Sequence, residues 1–145
     1  MAPGFSLVSQ DGRTISLQDY QGRKNVVLYF YPKDFTMGCT AETRTFGVNY
    51  DKLIEMGAEV IGVSSDTAES HKSFGEKCGV KFPLLSDRGG RVRNLYGVKT
   101  SFGFVPGRVT FIIDKAGVVR RVVSSQTNPG KHVSEAMQTL SSLES

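Results

Sequence analysis

Short apolar runs alternate along this chain with longer stretches in which apolar residues recur every three to four positions. NVVLYFY, residues 25–31, has almost no polar alternation, the pattern of a strand covered on both faces. AEVIGVSS, residues 58–65, reads as a second buried strand. Between them, from about Thr40 to Met56, Phe46, Tyr50, Leu53, Ile54 and Met56 fall at helical spacing and Gly57 ends the run. A second helix is predicted within SDTAESHKSFGEKCG, with Ser65 or Asp66 as its cap, Glu69 placed for a capping box and Gly79 as its stop.

The flanking segments follow the same grammar. FSLVSQDGRTISL reads as a hairpin about Asp11-Gly12, a favoured tight-turn pair. FPLLSD is a short strand and GGRVRNLYG a short helix. RVTFIIDKAGVVRRVVSS is a hairpin about residues 114–117, and GKHVSEAMQTLSSL is a terminal helix. Strands separated by helices argue for an α/β fold with a central mixed sheet, flanked by helices and preceded by the N-terminal β-hairpin. No repeat or linker interrupts the pattern, so a single domain over residues 1–145 is expected.

Composition narrows the chemistry. Eighteen basic and 14 acidic residues leave a net charge of +4, clustered modestly in DRGGRVRNLYGVK and VVRRVV. No basic run is interleaved with aromatic residues as a nucleic-acid platform requires, and Arg120-Arg121 is expected on the edge of a strand. No apolar run approaches a membrane span of ~20 residues, and the first residues show no leader pattern. Two cysteines, Cys39 and Cys78, and two histidines, His71 and His132, are too few for a structural zinc site or a secreted disulfide framework. A reducing compartment inside the cell follows as the expectation.

The candidate chemistry lies in YPKDFTMGCT, residues 31–40, where the first buried strand empties into a turn and a helix. A cysteine in the first turn of a helix faces free backbone N–H groups and the positive end of the helix dipole, which both favour thiolate over thiol. Thr36 stands three residues before Cys39, where a disulfide exchanger would carry its second cysteine, so an internal disulfide in this motif is excluded. Pro32 stiffens the exit from the strand. His71 as the base of a cysteine hydrolase is disfavoured, because no Asn or Asp is evidently placed to orient it and an exposed helix position accounts for it. His132, at the start of the terminal helix, is expected to face solvent.

Pro32, Thr36 and Cys39, in the spacing P-x-x-x-T-x-x-C, resemble the active-site signature of the peroxiredoxins. The flanking segments YPKDFT-x-GCTAE, FPLLSD and VPGRVTFIID are similar to the peroxiredoxin Q and bacterioferritin-comigratory-protein branch, plant and cyanobacterial members in particular. The resemblance implies a thioredoxin-like fold of the peroxiredoxin type and a thiol-dependent peroxidase. Cys39 would be the nucleophile, Thr36 and Arg108 would bind the peroxide, and Glu42 and Pro32 would support them. It implies hydrogen peroxide and small organic hydroperoxides as substrates, no metal or organic cofactor, and thioredoxin, glutaredoxin or glutathione as reductant. A monomer is expected, in the cytoplasm, or in a plastid if the source is a plant or alga.

Two departures matter. Arg44 occupies the position five residues after Cys39 where many members of the branch carry a second cysteine, and Met37 replaces a common proline. Cys78 is then the candidate resolving cysteine, against a one-cysteine cycle with an outside thiol. Unassisted, two helices apart, the two sulfurs are not expected to meet the Cα separation of ~7 Å that a disulfide allows. Outside the peroxidase class, the same turn would suit a non-catalytic redox-sensing or binding module.

Overall fold

The computed structural model describes residues 2–31, 34, 37–97, 100–101, 105–106, 108–124 and 129–143; the side chains of residues 37–39, 42, 100–101, 105–106 and 129 lie outside the description. The predicted first hairpin forms from β1 (Ser6–Ser9) and β2 (Thr14–Ser16), with Gly12 in the turn. A 3-10 turn over Leu17–Tyr20 leads to β3 (Asn25–Phe30). The helix anticipated from Thr40 starts earlier and is broken at Asn49 into α1 (Met37–Val48) and α2 (Tyr50–Glu55). There follow β4 (Ala58–Ser64), α3 (Ala68–Cys78), β5 (Leu84–Ser86) and the short α4 (Arg91–Leu95). A two-residue pair, β6 (Thr100–Ser101) with β7 (Val105–Pro106), has no counterpart in the sequence reading. The chain ends with the hairpin β8 (Val109–Ile113) and β9 (Val119–Ser124), then α5 (Pro129–Leu143).

Seven strands form one mixed sheet in the order β2-β1-β5-β4-β3-β8-β9. β3, β4 and β5 run parallel and the remaining pairings are antiparallel. The unbroken apolar run of β3 is explained by its central place, with every residue buried. Its odd-numbered residues Val27 and Tyr29, continued by Tyr31, meet Phe46, Leu53, Phe74, Ala136 and Leu140 from the helices on one face. Its even-numbered residues Val26, Leu28 and Phe30 meet Ile15, Leu17, Val92 and Phe111 on the other. β9 is an edge of the sheet, and Arg120 and Arg121 lie on it exposed, paired with Asp114 and Glu135.

The cap of α3 departs from expectation. Thr67, rather than Ser65 or Asp66, is the N-cap: its hydroxyl accepts from the Ser70 N–H at 3.1 Å. Glu69 therefore falls one position short of completing a capping box. The Asp66 carboxylate is committed elsewhere, accepting from the Ser64 hydroxyl at 2.7 Å and the Asp34 N–H at 2.8 Å. At the other end, Gly79 takes a left-handed conformation (φ 69°) that a side chain would disfavour, and so stops the helix directly after Cys78.

Candidate active site

The C-terminal end of β3 delivers the chain to the turn of interest. Cys39 is the third residue of α1, within the first turn, where backbone N–H groups lack partners inside the helix. Glu42 follows one turn later on the same helix. Pro32 and Thr36 lie outside the described residues, as do the side chains of Cys39 and Glu42. Arg108 is brought to the same end of the sheet by strand pairing. Phe30 opposes Val109 in the antiparallel register of β3 and β8, so Arg108 stands beside Tyr31, where the chain leaves the sheet. Arg108 is half-buried and its Nε is closed off from solvent. The strand pairing thus brings Arg108 to the end of β3 from which the chain leaves toward α1.

The body of α1 is fastened to β3 by Phe46, which stacks on Tyr29 at 4.7 Å between ring centroids, and by Thr43, whose hydroxyl shares a 3.0 Å hydrogen bond with the Tyr29 phenol. Gly47 lets α1 come close to the segment after α3, since a Cβ there would stand 2.9 Å from Val80. Cys78 is half-buried and packs against the same core as Phe74. Burial pushes its thiol above the ordinary range, while the nearby charges of Arg44 and Lys77 pull the other way. Arg44, on α1, is thus close enough for its charge to act on Cys78 at the end of α3.

Both histidines overturn the expectation of solvent exposure: His71 and His132 are fully buried. His132 is the nearer to an ordinary structural role, its Nδ1 lying 2.7 Å from the Thr110 hydroxyl and tying α5 to β8. His71 sits in a denser network. Its Nδ1 lies 2.7 Å from Asp34 Oδ2 and its Nε2 lies 2.9 Å from the Leu85 carbonyl. Asp34 Oδ1 accepts from the Tyr31 phenol at 2.6 Å, and Oδ2 accepts from the Ser70 hydroxyl at 2.8 Å. Burial, the neighbouring Tyr29 and the Asp34 carboxylate hold the Tyr31 phenol well above its ordinary range, so it remains a proton donor.

An aspartate thus does orient His71, contrary to the sequence reading, yet the hydrolase assignment fails for a stronger reason. The ring nitrogen that a base would offer to a thiol is spent on a backbone carbonyl in the core. Ligand atoms of Asp34, Asp66 and His71 lie within 4.8 Å of one another, the one such group among the described residues. Hydrogen bonds already engage both ring nitrogens of His71 and the facing carboxylate oxygens. The signal that points to Asp34 is its position in the turn, five residues before Cys39; nothing in the sequence points to His71 as its partner. A cavity of about 200 Å³ lined by Leu17, Lys24, Val26 and Asp114 lies near the opposite end of β3.

Comparison with known proteins identifies the family and the fold. The AhpC/TSA family model matches residues 1–122. The chain is 48% identical over 143 residues to the chloroplastic peroxiredoxin Q of Oryza sativa subsp. japonica, covering 98% of this chain and 65% of that protein, so it spans just under two thirds of the rice relative's length. Among solved structures, the peroxidoxin BcpB of Mycobacterium tuberculosis superposes with a TM-score of 0.91 at 33% identity, covering 99% of this chain and 96% of that one. The bacterioferritin comigratory protein of Xanthomonas campestris, whose structures concern alkyl peroxide reduction, gives a TM-score of 0.87 at 28% identity over 97% of this chain and 92% of that one. The fold is accordingly the thioredoxin-like fold of the peroxiredoxins. With its cysteine in the first turn after a central strand and its arginine carried in by the neighbouring one, the chain belongs to the AhpC/TSA family, in the peroxiredoxin Q and bacterioferritin-comigratory-protein branch.

Proposed function

We propose that this protein is a thiol-dependent peroxidase in which Cys39 reduces hydrogen peroxide and small organic hydroperoxides. The observation that supports the reading is that Arg108 enters β8 at the end of β3 from which the chain leaves toward α1, whose first turn holds Cys39. The Cys39 thiolate attacks one peroxide oxygen, an S–O bond forms and the O–O bond breaks. The sulfur is oxidised by two electrons to a sulfenic acid, and the leaving oxygen takes a proton to depart as water or an alcohol. Backbone N–H groups of the first helical turn, the Thr36 hydroxyl and the Arg108 guanidinium stabilise the thiolate and the negative charge that grows on the leaving oxygen. Glu42 orients Arg108 and Pro32 stiffens the turn. The alkyl peroxide reduction reported for the Xanthomonas protein supports the substrate class.

Cys78 is the resolving thiol in this reading: it attacks the sulfenic sulfur, an S–S bond forms and water leaves. Its neighbour Arg44 is five residues beyond Cys39 along α1, a rise of about 7.5 Å, so resolution requires a local movement. Thioredoxin, glutaredoxin or glutathione then reduces the disulfide by exchange. The chain acts as one domain and as a monomer. The chloroplastic relatives support a plastid setting over the cytoplasm.

The deciding experiment adds one equivalent of hydrogen peroxide to the reduced protein and weighs it intact within seconds. A loss of about two mass units means that Cys39 and Cys78 have joined, whereas a gain of about 16 or 32 on Cys39 means a one-cysteine cycle. No change removes the peroxidase reading and leaves the non-catalytic binding module. Cys39→Ser is expected to bring peroxide turnover with a thiol donor down to the uncatalysed background. Arg108→Ala is expected to slow Cys39 oxidation by about 10²–10³-fold.

A further inference from the structure

His71 takes no part in the chemistry above, yet it is among the most enclosed side chains of the molecule. A backbone carbonyl only accepts, so the 2.9 Å contact with Leu85 requires a proton on Nε2. With Nε2 protonated, a neutral ring would aim the Nδ1 lone pair at Asp34 Oδ2 from 2.7 Å. A proton must therefore lie in that contact as well. The hydroxyls of Tyr31 and Ser70 donate to Asp34 Oδ1 and Oδ2, so both carboxyl oxygens already serve as acceptors. The half-buried Asp66 carboxylate, which accepts the Asp34 N–H, adds a second negative charge nearby. The shared proton accordingly belongs to the ring.

We propose that His71, protonated on both nitrogens between the Leu85 carbonyl and the Asp34 carboxylate, is a positioning residue that holds the turn before Cys39 against α3 and β5. The proposal rests on Cys39 as the nucleophile for its catalytic consequence, but the clamp itself stands on geometry alone. Asp34 is fixed through both its side chain and its N–H: the carboxylate to β3, through Tyr31, and to α3, through Ser70 and His71, and the N–H to Asp66 after β4. Five residues later the chain reaches Cys39. A charge-assisted contact of this kind, shielded from water, is stronger than a neutral one and tolerates less displacement. The aim of the first helical turn is thereby set from three directions before the peroxide arrives.

The test uses the full chain at pH 7 and reads three quantities: the NMR signals of the His71 ring nitrogens, the amide-exchange protection of residues 40–43, and the rate of Cys39 oxidation by hydrogen peroxide. Both ring nitrogens are expected to carry protons in the wild type and in Cys39→Ser. In Asp34→Asn, which keeps the shape of the side chain, only Nε2 is expected to do so. Protection of the turn and the rate of Cys39 oxidation should each fall about tenfold. An unprotonated Nδ1 in the wild type overturns the proposal, as does an Asp34→Asn protein with unchanged protection and rate. If Asp34→Asn does not fold, the wild-type ring signals and the loss of protection in Ser70→Ala decide the matter in the same way. Because the ring and exchange measurements are repeated in Cys39→Ser, an absence of peroxide chemistry in the wild type would count against Cys39 and leave the clamp standing.

Discussion

At its N-terminal end α3 is capped by Thr67 and joined through Ser70 and His71 to Asp34, with His71 fully buried. At its C-terminal end the same helix stops on a left-handed Gly79, and Cys78 remains half-buried beside Arg44. One helix of 11 residues thus carries a dense polar anchor at one end and a half-buried thiol at the other. The anchored end holds Asp34, five residues before Cys39, and in the proposed function displacement there by even 1 Å would misalign the nucleophile. The other end carries the thiol that, in the proposed function, moves to resolve the sulfenic acid. The polar anchor and Cys78 are separated by about two helical turns.

That contrast is open to direct attack. The largest expected effect is at the anchor. Asp34→Ala leaves a buried, protonated ring without its counter-charge and should cost about 3 kcal/mol of stability by urea denaturation. Cys78→Ser, by comparison, should cost less than about 1 kcal/mol. Equal losses at both ends would dissolve the distinction. A smaller effect is expected at the helix stop. Gly79→Ala forces a side chain into the left-handed region at a cost of about 1 kcal/mol, frays the last turn and speeds alkylation of Cys78. Unchanged alkylation would mean that the C-terminal end is as firmly held as the other.

The smallest effect concerns charge. Arg44→Ala removes the main group opposing the burial of Cys78, so the thiol should move further up and alkylation at pH 8 should slow several-fold. The sign for stability follows from the raised thiol. Its contribution is fully present below the ordinary thiol value of about 8.5 and is lost as pH rises through the higher folded-state value. Stability of the wild type measured between pH 8 and pH 10 should therefore decline more than that of Cys78→Ser.

Much of the fold was legible because its signals are local. The unbroken apolar run of β3, the Asp11-Gly12 and 114–117 turns, and Gly57 and Gly79 as stops each depend on neighbouring residues alone. The break of the first helix at Asn49 and the β6–β7 pair were not legible, since helical spacing runs on through Tyr50 and two-residue pairs carry no periodicity. The cap of α3 was misplaced because Asp66 is drawn away by an N–H 32 residues upstream. The same holds for the histidines. A polar side chain on an amphipathic helix reads as solvent-facing unless its buried partners are known, and those of His71 come from the turn at Asp34 and from β5.

By itself the sequence determined the strand–turn–helix that presents Cys39, the choice of Thr36 in place of a second cysteine in that motif, and the α/β class. These rest on backbone preferences and on spacing within about ten residues. Only the tertiary structure decided that Arg108 enters β8 at the end where the chain leaves β3, that the charge of Arg44 reaches Cys78, and that His71 is enclosed against Asp34. Each of those facts needs strand register or helix packing across tens of residues. Whether a charged or polar group is buried is settled by the partners the fold brings to it, because desolvation is tolerated only where hydrogen bonds replace the water that is lost.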